Sequence, residues 1–157
     1  MEQALLALLS GLESLGLVDW AKGSVHVYPW ANVVHVIGVV LLVGGIGIVD
    51  LRIIGVWRRL PLSALSHALT PVAIAGLLLQ AASGMVLFAA DGKTLAASSV
   101  FHAKLVFVAL AVLNAAVFRL RWNIRTDSTS FAQRSSAATS LALWVAVAVL
   151  GRLIAYY

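Results

Sequence analysis

YPWANVVHVIGVVLLVGGIGIVDLR, residues 28–52, decides the class of this protein. Its first twenty-two residues carry no charge other than a histidine, which is enough apolar helix to cross a hydrocarbon core of about 30 Å. Three further stretches of about that length, interrupted only by His102, Lys104 and Arg152, occupy residues 69–90, 99–118 and 137–157. In lipid each must satisfy its own backbone hydrogen bonds, and a helix does so internally. The expectation is an all-α integral membrane protein, a four-helix bundle in one domain over residues 23–157.

Composition agrees. Apolar residues make up 62% of the 157 and charged residues only 11%, with a mean hydropathy of +1.00, whereas soluble domains are near half apolar. Residues 1–22 are less uniform. Leu5, Leu8, Leu9, Leu12 and Leu15 share one helical face opposite Gln3, Ser10 and Ser14, with Leu6 and Leu17 breaking the pattern. An acidic start and the lack of a long apolar run argue against a signal peptide. A short interfacial amphipathic helix ending near Trp20 fits better.

Charge sets the orientation. Arg52, Arg58, Arg59, Arg119, Arg121, Arg125 and Arg134, seven of the eleven basic residues, fall on one side. The positive-inside rule makes that side cytoplasmic and both termini periplasmic in a bacterial inner membrane. The net charge of +5 is then a topological signal, and no nucleic-acid-binding module accompanies it. Without cysteine there is no disulfide, no thiolate metal site and no covalent haem attachment.

Connections are expected to be short. The first helix runs on past the interface and turns at Pro61, with Ser63 or Ser66 capping the second, where Pro71 marks the first turn. Asp91-Gly92 marks the next turn, and Ser98 or Ser99 caps the third helix.

Polar groups at membrane depth are costly and usually face a bundle interior. His35 and His102 begin spans one and three and lie at similar depth in the outer leaflet; His67 lies across the bilayer from them. Asn32 precedes His35 by one turn, and Gly38, Leu42, Gly45 and Val49 continue its face. The glycines leave room for a flat ligand or for a close helix. Lys104 and His102 diverge by about 200° at helical pitch, so only one of them points squarely inward. Asn114 lies near the Lys104 face, Arg152 is in the same leaflet as His35, and Gln80 midway along span two suits interhelical bonding.

The segments YPWANVVHVIGVVLLVGGIGIVDLRIIG, GMVLF and FHAK, with Asn114, resemble a bacterial family of small four-helix membrane proteins of unassigned function. More distantly they are similar to CopD-like copper-resistance domains, HemJ-type protoporphyrinogen oxidases and b-type cytochrome bundles. That resemblance implies a ligand histidine at His35 and, on the HemJ pattern, a lysine at Lys104; His102 is outside it.

These observations lead to an expected haem b protein, the haem held non-covalently, for electron transfer or porphyrin or quinone redox. His35, His102, Lys104, Arg152, Asn32 and Asn114 form the candidate cofactor site, with His35 and His102 as the metal ligands. A quinone or a redox protein would be the partner beside the lipid bilayer. Two alternatives stand. One is a non-redox carrier or metal-handling protein, although Met1 and Met85 alone offer soft ligands for copper. The other is an accessory anchor subunit of a larger complex; a homo-oligomer is also open.

Overall fold

The computed structural model describes residues 1–122 and 128–156. Arg125, assigned above to the cytoplasmic loop, and Tyr157, the expected end of span four, lie outside the described residues. Among the described residues there are six helices and no strand: α1 (Glu2–Ser14), α2 (Leu17–Gly23), α3 (Val27–Ile54), α4 (Leu62–Ala97), α5 (Ser99–Arg121) and α6 (Phe131–Leu153). The last four are each long and apolar enough to cross a membrane.

The N-terminal segment is two helices rather than one. They meet at an angle of 80°, and Gly16, at φ +72°, supplies the left-handed residue that the break requires. Leu9, Leu12, Val18 and Ala21 bury against Phe88 and Ala89 of α4. Leu8 and Leu15 of the expected apolar face remain exposed. A Cβ on Gly92 would stand 2.6 Å from Leu9 Cδ1, so α1 seats closely on α4 there and a larger residue would make the Leu9 side chain shift.

The loops also differ from expectation. Arg52 is buried, and its guanidinium donates to the carbonyls of Leu60 (2.7 Å) and Arg58 (3.0 Å), folding residues 55–60 back tightly. The chain enters α4 through extended Pro61, and neither Ser63 nor Ser66 caps it. Pro71 sits well inside α4 rather than in its first turn, and the backbone stays helical around it. Asp91-Gly92 is no turn: α4 kinks at Asp91 and continues to Ala97 under the cover of α1 and α2. Ser98 alone separates α4 from α5, its hydroxyl accepting from Phe101 N–H at 3.3 Å. α6 begins six residues earlier than its apolar run, at a capping box of Ser130 and Gln133.

The four spans form an arc in the order α4, α3, α6, α5, whose two ends barely meet. The α3–α4 seam is the tightest. A Cβ on Gly38 would stand 2.8 Å from Gln80 Cγ and 2.9 Å from the Gly76 carbonyl; one on Gly76 would stand 2.5 Å from Leu42 N; one on Gly45 would stand 3.1 Å from the Leu69 carbonyl. Such backbone contact gives close van der Waals packing, the interaction that would associate apolar helices in lipid, where no hydrophobic force remains. Of the two uses open to these glycines, a close helix is the one realised.

Candidate functional site

The His35 ring crosses from α3 to α4. Its Nδ1 lies 3.0 Å from Ser83 Oγ, and the Gln80 main chain is a second hydrogen-bond partner. The Ser83 hydroxyl also lies 2.6 Å from the Leu79 carbonyl, which can only accept, so the single hydroxyl proton is committed there. Ser83 Oγ must then accept from His35, which places the ring hydrogen on Nδ1.

Gly84 gives the ring its room, since a Cβ there would stand 3.4 Å from His35 Cε1. Lys104 of α5 lies within electrostatic reach of the ring. Its ammonium rests against α6, where a Cβ on Gly151 would stand 3.5 Å from Nζ. Among the described residues that ammonium makes no hydrogen bond. Of the two residues that diverge on α5, Lys104 is therefore the inward one.

His102 turns elsewhere. Its Nε2 donates to the Ala96 carbonyl at 2.8 Å and so closes the end of α4. Asn32 is exposed despite lying one turn before His35. Arg152 is exposed too, bonded to Tyr156 Oη at 2.6 Å with its guanidinium over the same ring. Asn114 belongs to the other end of the bundle, where it donates to the Ser136 carbonyl (3.1 Å) and accepts from the Ser136 hydroxyl (3.0 Å), clasping α5 to α6. His26 and His67 are exposed. The six expected site residues thus divide: His35 and Lys104 draw together, and the others serve local bonds or solvent. No group of three or more His, Cys, Asp or Glu that would hold a metal occurs among the described residues.

A second polar cluster escaped the sequence reading. Asp50 sits one residue past the expected end of span one, yet α3 runs on to Ile54 and buries it to 5% exposure. The Ser140 hydroxyl of α6 is its side-chain hydrogen-bond partner, while Oδ2 has none. One turn along α6, Trp144 is 3% exposed and its Nε1 is likewise without a partner. Both side chains line a cavity of about 280 Å³ among the four spans. Asp50 follows Leu42 and Ile46 at four-residue intervals and precedes Ile53 by three, and that spacing was the available signal.

Compared with protein families, with curated proteins and with solved structures, the chain matches none. The functional reading therefore rests on the side chains.

Proposed function

We propose that this chain is a multi-pass membrane protein that holds haem b through His35 and serves one-electron transfer. The observation that carries the reading is the bond from His35 Nδ1–H to Ser83, because an imidazole that held haem iron would need its other nitrogen anchored to fix the tautomer and the ring plane. With Nδ1 held by Ser83, Nε2 would be the atom left to bind the iron. Lys104, the other residue singled out by the HemJ-type resemblance, supports it as a cation at the same end of the bundle, suited to a propionate or to a sixth position. His102, committed to the Ala96 carbonyl, is the weaker candidate for that position.

Haem, when bound, supplies the redox chemistry. The chain's own residues orient one imidazole, offer one cation and exclude water with apolar helix faces. The glycine seam packs α3 against α4, so a haem on His35 would have to approach from the side away from that seam. A bacterial inner membrane, with the basic end of the bundle cytoplasmic and both termini periplasmic, completes the reading.

The deciding experiment is an absorbance spectrum of detergent-purified protein expressed with adequate haem. A Soret band that is lost in His35→Ala is the expected result. No band in the parent, and none on adding haemin, would sink the proposal.

A further inference from the structure

We propose that the groove between α4 and α5 at the basic end of the bundle holds one anionic phospholipid, its phosphate at Arg119 and Arg121 and an acyl chain against α4. The groove has a volume of about 1070 Å³, far more than a single inorganic anion fills. One face of α4 forms its first wall. Ser63, Ser66, His67 and Thr70 begin that face at helical spacing, and Pro71, Ile74, Ala75 and Leu78 continue it. Polarity changes once along the wall, between Thr70 and Pro71. Each half rises about 10 Å along the helix axis.

The end of α5 and its cap form the second wall, with Arg119, Leu120, Arg121 and Trp122. Among the described residues no Asp or Glu lines the groove. Arg52, Arg58 and Arg134 at the same end donate to oxygens of the chain itself. Arg119 and Arg121 are exposed and have no such partner among the described residues. Two unpaired guanidiniums beside three hydroxyls select an anion, and the planar guanidinium fork matches the oxygens of a phosphate. Trp122, its ring centroid 5.1 Å from that of Phe118, is of the residue type that sits at headgroup level.

The apolar half of the groove separates a lipid from a soluble phosphate. Ile74 and Leu78 are 53% and 65% exposed, so this part of the wall lies open to whatever surrounds the bundle. A free phosphate would answer the arginines and leave that surface bare. A phospholipid covers both halves at once, its headgroup beside the hydroxyls and its chain parallel to α4. Basic pockets between spans recognise anionic headgroups by this combination.

This inference rests on the membrane-spanning reading and is independent of any cofactor at His35. Purified protein in mild detergent is titrated with dioleoylphosphatidylglycerol or with dioleoylphosphatidylcholine, and native mass spectrometry reads the affinity for the first lipid bound. The parent is expected to bind the anionic lipid at least about tenfold more tightly, from two arginines. Arg119→Gln and Arg121→Gln each lose about fivefold, the worth of one arginine at an anionic lipid. Arg59→Gln, exposed at the same end but outside the groove, binds as the parent does. Equal affinity for the two lipids, parent affinity in both groove variants, an equal loss in Arg59→Gln, or displacement of the lipid by inorganic phosphate would each overturn the proposal. The comparison of the two lipids needs no variant to fold.

Discussion

His35 Nδ1 and Ser83 Oγ, 3.0 Å apart, join α3 to α4 across the tightest seam of the bundle. The Ser83 hydroxyl donates to the Leu79 carbonyl, so its oxygen accepts from His35 and one serine fixes the tautomer of one histidine. Replacing Ser83 by Ala removes that anchor without touching the ligating nitrogen. Haem affinity should fall about 10- to 100-fold with the Soret band retained at saturating haemin. Titration of haemin into Ser83→Ala and parent, side by side, measures the ratio; identical affinities would separate the serine from the site.

Gly76→Val should destabilise the protein more than any similar change on the lipid-facing side of α4. The first added carbon alone would stand 2.5 Å from Leu42 N and 2.8 Å from the Gly38 carbonyl, both of them backbone that cannot move aside. The expected loss is about 1–3 kcal/mol or more, the usual cost of overpacking. Unfolding in mixed micelles, followed by circular dichroism, gives the number, with Ala75→Val as the exposed control.

Asn114→Leu opens the clasp between α5 and α6. Two hydrogen bonds are lost and the Ser136 hydroxyl is stranded, although interhelical polar bonds in membranes average only about 0.6 kcal/mol. A loss of about 1–2 kcal/mol is expected by the same unfolding assay. An unchanged midpoint would mean that α5 is held by packing alone.

Asp50→Asn should leave the apo protein as stable as the parent or make it more so. The side chain keeps its shape and its Ser140 neighbour while shedding the cost of a charge-bearing group in an apolar wall. A marked loss of stability would reveal that the carboxylate has a partner it cannot spare.

The absence of cysteine permits a direct test of orientation. Single cysteines at Val25 and Ser63, both exposed and at opposite ends of the bundle, report the two faces. A membrane-impermeant maleimide should label Val25→Cys in intact spheroplasts, and Ser63→Cys only after permeabilisation. The reverse pattern would invert the topology.

Four spans were legible because lipid imposes a length and an apolarity that composition alone can meet. The packed face of α3 was legible as well: Gly38, Leu42, Gly45 and Val49 recur at three and four residues, and all four are buried. Position along a helix also sufficed to separate His35 from His67.

The arc itself was not readable in the sequence. Which helices adjoin in lipid depends on matched small residues in distant segments, such as Gly38 and Gly45 against Gly76 and Ala73, because apolarity no longer discriminates protein from solvent. His102 went to the Ala96 carbonyl, Asn114 to Ser136, and Asp50 inward beside Ser140 for the same reason. A polar group in lipid takes the partner that the packing brings near, and only the tertiary structure decides which one that is.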